Sequence, residues 1–496
     1  MACLIAAPTS GSGKTLLSLS LAAWARQHGA SLQTFKVGPD YLDPQLLSRV
    51  SGRPCRNLDP LLCGDAWVRS SFQHHGAQAD LALVEGVMGL FDGRGPTSEG
   101  SSAAVAVLLD LPVVLVVEAS RQAGSVAALV RGFRDHDPRL QLAGVVLNRI
   151  GGERHRQLLT EALAAIDVPL LGVLPPNESL ALPSRHLGLL PPDEVPDLPQ
   201  RLAQWADLAS RCLDLPRWHP LLQAPPVPTT PASTAPTPSF PAPDPGPAMG
   251  GDRPVVIAVA RDAAFHFLYP EAKELLEGHG ASVIPWSPLA DEPLPRDCQA
   301  VVLPGGYPEL HHQQLTNARR SLGDLAAAAA AGLPIYAECG GLLLLGDRLQ
   351  GPDDDPEAPG SAMAGVLPFA ARRGALSLGY RRSVALVDGL VVRREDRRWG
   401  HEFHRWQLQP SIDPTNRQRC PLAARPGLWQ LEGWGVPLKE EGWNAPNVHA
   451  SWLHLHWAGC PEIPRRLVAA SAVAAPWNGG SSGRTIASIP PRNAGI

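Results

Sequence analysis

Two α/β domains, each a mostly parallel sheet flanked by helices, are the fold class that this sequence predicts. The chain has 496 residues, which is too long for one ordinary hydrophobic core. Short apolar segments alternate with amphipathic ones, as in parallel sheets with helical crossovers. A Pro-, Ala- and Thr-rich stretch interrupts this alternation near the middle. We therefore predict domains at 1–215 and 253–464, a linker at 216–252 and a disordered tail at 465–496.

The composition argues against several classes of protein. The formal net charge is −4 with both signs interspersed, so there is no electrostatic footprint for nucleic acid or an anionic membrane. The eight cysteines are scattered and form no Cys-x-x-Cys pair, which favours reduced thiols over a disulfide framework or a zinc ribbon. The sequence has no apolar run of membrane-spanning length and no secretory leader pattern. We expect a cytoplasmic protein with neither nucleic-acid nor membrane partners.

The first domain opens with a strand, a Gly/Ser turn and an amphipathic helix, which is the proper context of a P-loop. Pro8 stands where the Walker A pattern has its first glycine, but the strand–turn–helix context favours a nucleotide site. Small loop residues let backbone N–H groups face phosphate, a lysine reaches the outer phosphates, and a hydroxyl ligates Mg²⁺. The predicted ATP-binding residues are Ser10, Gly11, Ser12, Gly13, Lys14 and Thr15.

Further polar residues follow the next strands of the first domain. Asp40 and Asp43 lie in a Pro-punctuated loop at the carboxyl end of a strand. They are either ligand-binding residues at that edge of the sheet or solvated turn residues. Glu85 directly follows an apolar strand, where a P-loop protein holds Mg²⁺, and Asp92 lies on a Gly-flanked loop after it. Asn148 ends a later strand. Its side-chain amide either binds adenine or serves as a turn or capping group.

In the second domain, a short apolar strand runs into Cys339, and two glycines and a Leu-rich helical segment follow. Such a strand–elbow–helix turn presents a nucleophile and aims helix N–H groups at it. An ordinary buried cysteine beside a Gly-rich turn explains the segment equally well. From 362 to 455 the pattern changes to short strands and turns, which predicts late antiparallel strands.

Two downstream histidines are candidate partners of this thiol. Strand alternation places His454 and His456 on one face, where they could supply a base and its orienting group. A metal pair and two half-buried strand histidines are the alternatives. Gly305 and Gly306 end another strand, and their N–H groups, with that of Gly340, form a predicted oxyanion hole.

The motifs of the second domain, in this order, resemble the glutaminase half of cobyrinate a,c-diamide synthases, which are triad-type class I glutamine amidotransferases. They are Gly-Gly-Tyr-Pro-Glu at 305–309, Glu-Cys-Gly-Gly at 338–341, Gly-His-Glu-Phe-His at 400–404 and Ser-Trp-Leu-His-Leu-His-Trp at 451–457. The resemblance implies that Cys339 is the nucleophile and His454 its base. His456 stands where many triad amidotransferases carry a glutamate. It also implies a role near the glutamine site for residues 400–404, which otherwise suggest a metal site or solvated surface.

The first domain resembles the synthetase half of the same family, itself similar to dethiobiotin synthetase. The matching segments are 6–15, 35–44, 57–59, 85–93 and 182–188. The resemblance implies that Lys14, Thr15 and Glu85 serve ATP and Mg²⁺. By the same resemblance Asp40, Asp43 and Asp92 lie by the substrate carboxylate and its activated form, and Lys36 and Asp59 are weaker candidates for phosphate and metal.

Together the two halves predict a carboxylate-amidating enzyme. ATP converts an unreactive carboxylate into an acyl phosphate, and a thiol site releases ammonia from glutamine beside it. We expect amidation of the a and c carboxylates of cobyrinate or a close corrinoid, with ATP, glutamine and the corrinoid as partners, Mg²⁺ as cofactor and a homodimer as one candidate assembly. The alternatives are another tetrapyrrole amidotransferase (cobyric acid synthase or nickel-sirohydrochlorin diamide synthase) and a P-loop switch ATPase with an inactive amidotransferase-like domain.

Overall fold

The computed structural model describes residues 2–176, 197–227, 254–355, 357–411 and 424–479, with Val195 and the backbone of 184–185 and 188–189. Three parts of the sequence predictions lie outside these residues: most of the linker (228–252), the end of the tail (480–496) and most of the 182–188 motif. Within the described part of the chain, no helix has the length and apolar character needed to cross a membrane.

The first domain is built on a seven-stranded sheet with the order β3-β2-β4-β1-β5-β6-β7, in which every pairing is parallel. Its central strands are apolar on both faces, because helices cover both sides. The strands are β1 (Cys3–Ala6), β2 (Leu32–Val37), β3 (Arg56–Leu58), β4 (Leu81–Glu85), β5 (Val113–Glu118), β6 (Leu142–Asn148) and β7 (Leu170–Leu174). A separate antiparallel pair is formed by β8 (Ser184–Arg185) and β9 (Gly188–Leu189).

Nine helices are described in the first domain, and each face of the sheet carries its own cluster of buried apolar side chains. The helices are α1 (Lys14–Gln27), α2 (Leu42–Ser51), α3 (Pro60–Cys63), α4 (Asp65–Gly76), α5 (Ser102–Leu109), α6 (Ser125–Asp135), α7 (Glu153–Ala164), α8 (Leu198–Cys212) and α9 (Leu215–Leu221). Since the strands are parallel, the segments that follow β1, β2, β3 and β4 all lie at one edge of the sheet. The predicted ATP and substrate residues are therefore brought to one place.

The second domain has an eleven-stranded mixed sheet. Its first part, in the order β11-β10-β12-β13-β20, is parallel, and the strands that follow β20 in the sheet, β19, β18 and β16, pair antiparallel. The strands are β10 (Val255–Ala260), β11 (Ala281–Trp286), β12 (Ala300–Leu303), β13 (Ile335–Glu338), β14 (Arg348–Leu349), β15 (Ser361–Ala362), β16 (Phe369–Ala385), β17 (Arg397–Pro410), β18 (Arg425–Gly433), β19 (Val436–Ala445) and β20 (Val448–Ser451). The fold class and the late antiparallel strands are confirmed.

The helices of the second domain pack against the parallel part of this sheet. They are α10 (Pro270–Gly278), α11 (His312–Asn317), α12 (Arg319–Ala330), α13 (Gly340–Leu345) and α14 (Glu462–Val473), with 3₁₀ turns at Pro308–His311 and Trp457–Gly459. The short helix α13 begins directly after β13, which is the arrangement that the elbow motif predicts.

Two of the predicted domain boundaries are corrected by ordered packing. The predicted linker starts at 216, but α9 packs on the first domain, where the indole of buried Trp218 donates to Leu171 O at 3.1 Å. The predicted tail starts at 465, but α14 continues to 473 and Trp477 N donates to Cys298 O at 2.8 Å. Both segments are rich in Pro and Ala, which led to the prediction of disorder, but each also contains a few large apolar residues that it buries.

The two domains are joined by buried polar contacts. The Arg56 guanidinium of β3 lies 3.1 Å from Glu271 and 2.7 Å from Glu274, both on α10. Gln45 of α2 donates to the His266 carbonyl at 2.9 Å. Such pairs hold a fixed geometry because a lone buried charge would be strongly unfavourable. The edge of the first sheet that carries the polar loops thus faces the second domain.

Candidate active sites at the domain interface

Cys339 occupies a strained position between β13 and α13. Its φ of 46° and ψ of −102° lie where residues other than glycine are rare, and such strain is concentrated at functional sites. The turn is fixed by the hydrogen bond from Cys339 N to Ser451 O at 2.8 Å. A Cβ on Gly341 would lie 2.1 Å from Leu303 O, so only glycine fits there. The predicted elbow is present, and it places a nearly buried thiol at the first turn of a helix.

His454 lies beside this thiol and is held by its backbone. His454 and His401 of β17 exchange two N–H···O bonds, of 3.0 and 2.9 Å. Burial acts to lower the pKa of His454, but the charge and hydrogen bond of Cys339 and the Glu338 carboxylate as an acceptor raise it to about 10. A histidine that stays protonated beside a cysteine stabilises the thiolate, which is the nucleophilic form. The geometry thus pairs Cys339 with His454, as a nucleophile and its base require.

Glu338 lies where the third residue of a catalytic triad, the group that orients the histidine, would be. Its Oε2 lies 3.6 Å from His454 Nδ1. Its Oε1 accepts hydrogen bonds from the Tyr336 hydroxyl and, at 3.3 Å, from Leu455 N. The carboxylate is therefore fixed where it can orient the imidazole and stabilise its charged form.

His456 does not take the orienting position that alternation predicts. The strand β20 ends at Ser451, so the two-residue period does not extend to His456. Its Nδ1 accepts from Ala458 N at 3.3 Å, its ring stacks on Tyr269 at 4.2 Å, and its Nε2 lies 3.7 Å from Glu271. His456 belongs to the domain interface, and its predicted place in a triad is corrected in favour of Glu338.

We expect Glu338→Gln to lower glutaminase kcat by roughly tenfold or more, because a neutral amide no longer stabilises the imidazolium. Loss of the carboxylate also lowers the pKa of His454, so the alkaline limb of the glutaminase pH profile should move to lower pH. The measurement is glutamate release across pH 6 to 11. His456→Gln is the matched comparison, with an expected change below about threefold. A larger loss in His456→Gln than in Glu338→Gln would contradict the assignment.

The three predicted oxyanion-hole glycines lie close together around the thiol and its base. A Cβ on Gly305 would lie 2.5 Å from His454 Cε1, and one on Gly340 would lie 2.9 Å from Gly306 N. A Cβ on Gly306 would approach Ala264 O to 2.1 Å. No side chain fits at these positions, so the backbone can approach a substrate carbonyl closely. Their role as N–H donors stays a prediction.

The predicted phosphate-binding loop is formed at the other side of the interface. Lys14 Nζ donates to Met88 O at 2.5 Å, and burial together with the charge of Lys36 lowers the pKa of Lys14 to about 8. A bound phosphate would raise the pKa of Lys14 again, because it places an anion next to the ammonium group. The Asn148 amide donates to Ser12 O at 2.9 Å, and a Cβ on Gly13 would lie 2.3 Å from this amide nitrogen. This packing favours Asn148 as a brace of the loop over an adenine-binding role. Ser10 and Gly11, at the tip of the loop, are exposed.

A buried lysine gathers the predicted acidic residues. Lys36 Nζ lies 2.5 Å from Asp43, 2.7 Å from Glu85 and 3.7 Å from Asp40. Burial acts to lower the pKa of Lys36, but Asp43 and Glu85 raise it well above its ordinary value. Burial and the neighbouring Asp43 raise the pKa of Asp40 to about 7. This cluster connects the loop after β2 with the end of β4.

Asp59 is not part of this cluster, and its predicted metal role is corrected. Its Oδ1 caps α3 by accepting from Leu61 N and Leu62 N at 2.9 and 3.0 Å. Its Oδ2 accepts from the Tyr380 hydroxyl of the second domain at 2.9 Å. Both oxygens are thus used for capping and for the domain contact. Asp92 accepts from Gly89 N at 2.8 Å and faces the space between the domains.

Thr15 and Glu85 are suited to hold a divalent cation of the kind that P-loop enzymes use with a nucleotide. The Thr15 hydroxyl donates to Glu85 Oε1 at 2.8 Å, while Glu85 Oε2 is buried without a hydrogen-bond partner among the described residues. Hard oxygen donors of this type suit a cation that is otherwise held by water and phosphate. In the described part of the chain, no group of three or more His, Cys, Asp or Glu side chains is placed to hold a metal ion by itself.

A cavity of about 380 Å³ lies between the two domains. The first domain contributes Asp40, Asp43 and Asp92, which are the predicted substrate residues. The second domain adds Phe403 of β17, which lies in the predicted 400–404 motif. It also adds residues that the sequence predictions missed, from β16 and the turn between β18 and β19: Leu378, Tyr380, Arg381 and Trp434. No local motif marks them, because they come together only when the strands pair.

The fold and the two sites define the class of the protein: a P-loop domain joined to a thiol-elbow amidotransferase domain makes an ATP-dependent, glutamine-hydrolysing amide ligase. Residues 3–190 match the CobQ/CobB/MinD/ParA nucleotide binding domain, and residues 256–461 match the CobB/CobQ-like glutamine amidotransferase domain. The chain belongs to the family of cobyrinate and hydrogenobyrinate a,c-diamide synthases.

The relatives match the chain over nearly its whole length. It is 43% identical to the cobyrinate a,c-diamide synthase of Gloeobacter violaceus, over 94% of this chain and 96% of that protein. It is 41% identical to the cobyrinate a,c-diamide synthase of a Synechococcus species, over 93% of this chain and 96% of that protein. It is 40% identical to the hydrogenobyrinate a,c-diamide synthase of Streptomyces coelicolor, over 94% of this chain and 96% of that protein. Both domains and their connection are thus shared with these enzymes.

Proposed function

We propose that the protein amidates the a and c carboxylates of cobyrinate, or of a close corrinoid, with glutamine or ammonia as nitrogen donor and ATP as the activating substrate, in cobalamin biosynthesis. The observation that carries the proposal is the cavity between the domains, which the acidic cluster of the P-loop side lines together with residues beside the thiol site. Such an arrangement suits an acyl phosphate that must meet ammonia before water does.

In the glutaminase half, the Cys339 thiolate attacks the side-chain amide carbon of glutamine. The protonated His454 gives its proton to the departing nitrogen, so ammonia leaves and a thioester forms. Neutral His454 then takes a proton from the water that hydrolyses the thioester, which yields glutamate and the free thiol. Glu338 keeps the imidazole oriented through both steps.

In the synthetase half, an oxygen of the substrate carboxylate attacks the γ-phosphorus of ATP, and ADP leaves. Ammonia then attacks the acyl carbon of the resulting acyl phosphate, and phosphate leaves as the amide forms. Lys14 neutralises the transferred phosphoryl group. The substrate carboxyl group is proposed to bind beside Asp40 and Asp43, which pair with Lys36, and Asp92 is a further acidic side chain of the same cavity.

Mg²⁺ is the proposed cation, held by Thr15 and Glu85, and it supplies charge neutralisation of the phosphates. We propose that the protein is cytoplasmic and assembles as a homodimer. Sedimentation of the purified protein would test the dimer separately from the activity.

The test of the function is incubation of the purified protein with cobyrinate, Mg-ATP and glutamine, followed by mass spectrometry of the corrinoid. Two successive carboxyl-to-amide changes that stop at the diamide are expected. Hydrogenobyrinate is offered in parallel, because relatives of both names match the chain. ATP hydrolysis with neither corrinoid changed would contradict the proposal.

The turn between β18 and β19 places Trp434 at the mouth of the cavity. Its side chain is 68% exposed, and a Cβ on Gly95 of the first domain would lie 2.6 Å from its ring. Met88 and Leu378, which are 42% and 51% exposed, complete an apolar rim. We propose that this rim contacts the face of the flat macrocycle while one edge of the macrocycle enters the cavity.

We expect Trp434→Ala to raise the KM for the corrinoid about tenfold, since a large apolar contact is lost. The KM for glutamine and the corrinoid-independent glutaminase rate should not change. Steady-state kinetics with each substrate varied in turn make the measurement. Leu438→Ala is the control, because Leu438 lies on the same hairpin, is 62% exposed and does not line the cavity. An equal KM effect in both variants would contradict the contact.

A further inference from the structure

A buried tyrosine contacts the carboxylate that orients His454. Tyr336 is the second residue of β13 and is 1% exposed, and its hydroxyl forms a hydrogen bond with Glu338 Oε1. Residues two apart on a strand point to the same face, so β13 itself places the phenol beside the carboxylate. The strand that ends at the nucleophile Cys339 therefore also carries a hydrogen-bond partner for the third member of the triad.

The direction of this hydrogen bond is set by Trp457. The indole Nε1 of Trp457 has no acceptor capacity, and it donates to the Tyr336 hydroxyl oxygen at 3.2 Å. The single proton of the phenol is then directed to Glu338 Oε1. Burial and the charge of Glu338 raise the pKa of Tyr336 well above its ordinary value, so the phenol keeps this proton. Trp457 and Tyr336 thus form a chain of donors that ends at the carboxylate.

The phenol ring is held by two aromatic neighbours. The ring of His449, on β20, stacks on that of Tyr336 at 4.8 Å with an interplanar angle of 3°, and Trp457 meets it at 5.1 Å and 85°. Both ring nitrogens of His449 are buried and have no hydrogen-bond partner among the described residues. Burial lowers the pKa of His449 to about 3, so this ring is neutral and serves as a packing surface.

The donors on Oε1 determine which way the Glu338 carboxylate faces. Oε1 accepts from the Tyr336 hydroxyl and, at 3.3 Å, from Leu455 N, whereas Oε2 lies 3.6 Å from His454 Nδ1. The last torsion of a glutamate side chain has a broad energy minimum, so the carboxylate turns easily unless an oxygen is fixed. The shorter of the two hydrogen bonds on Oε1 is the one from Tyr336.

We propose that Tyr336 is a positioning residue of the glutaminase reaction, whose hydroxyl, oriented by Trp457, fixes Glu338 so that its free oxygen faces the His454 imidazole. The inference rests on the glutaminase step of the proposed function. Tyr336 acts through Glu338 and not on glutamine, so its contribution to the rate disappears when the carboxylate is absent. Binding of glutamine does not depend on it.

The test is a double-mutant cycle on glutamate release without corrinoid, measured in the unmodified protein, the two single variants and the double variant. Tyr336→Phe removes only the hydroxyl, and we expect it to lower kcat about fivefold while the KM for glutamine stays within about twofold. In the Glu338→Gln background the same substitution should change kcat by less than about twofold. Equal losses of kcat in both backgrounds would overturn the proposal, because a role in packing alone is independent of the carboxylate.

Tyr269→Phe is the matched control, since Tyr269 is also buried and its ring stacks on His456, outside the triad. Its kcat should change by less than about twofold. Tyr336→Phe should keep amide formation from ammonium chloride, which reports on an intact fold.

If Tyr336→Phe loses amide formation from ammonium chloride as well, Trp457→Phe, which removes the indole donor, decides by the same cycle with Glu338→Gln. Failure of the unmodified protein to release glutamate from glutamine would instead overturn the glutaminase step of the proposed function.

Discussion

Replacement of Cys339 with alanine is expected to abolish glutamine-dependent amidation, by about a thousandfold or more, while synthesis from ammonium chloride continues. Without the thiolate no thioester forms, and so no ammonia is released from glutamine. The acceptor cavity and the P-loop remain intact because the lost side chain is small, nearly buried and not among the residues that line the cavity. The measurement compares amide formation from the two nitrogen sources at saturating ATP.

Cys212→Ala is the control for this prediction, since Cys212 is a partly exposed cysteine on α8, on the first domain. It should retain activity with both nitrogen sources. If Cys339→Ala loses activity with ammonium chloride as well as with glutamine, and still unfolds at the same temperature as the unmodified protein, the separation into two sites is wrong.

Replacement of Lys14 with methionine is expected to lower amide formation from either nitrogen source by about a hundred- to a thousandfold. The side chain keeps its length and apolar stem but loses the charge that neutralises the transferred phosphoryl group. Corrinoid-independent glutaminase activity should persist, because Lys14 belongs to α1 of the first domain whereas Cys339 belongs to the elbow of the second. Amide formation and glutamate release, measured on the same preparation, separate the two effects.

Lys273→Met provides the matched comparison, because Lys273 is an exposed lysine on α10 whose only charged contact among the described residues is Glu277 at 3.6 Å. Its activity should be close to that of the unmodified protein. Retention of ammonium-driven synthesis in Lys14→Met would exclude Lys14 as an essential group of the synthetase site.

Much of the fold and part of each site could be predicted from consecutive residues. The P-loop around Lys14 and the elbow at Cys339 are set by a strand, a glycine turn and a helix that follow one another in the chain. Their glycines are required by close backbone approaches, such as that of Gly341 to Leu303 O. Because close approaches of this kind require glycine, they can be predicted directly from the sequence.

Other assignments depended on where elements end. His456 was predicted as the orienting group on the assumption that the strand continues, but β20 ends at Ser451 and the chain then turns. Glu338 was part of a recognised motif, yet only the position of His454 next to it reveals its role. The end of a strand is decided by its neighbours in the sheet, which a local pattern does not contain.

The sequence by itself determined that the protein has a phosphate loop, a thiol elbow and two α/β domains, because each depends on residues that are adjacent in the chain. Only the tertiary structure decided that Asp59 binds Tyr380 and that Asn148 braces the loop. It also decided which side chains line the cavity between the domains. These roles arise from contacts between residues far apart in the chain, and such contacts depend on how strands pair and domains pack.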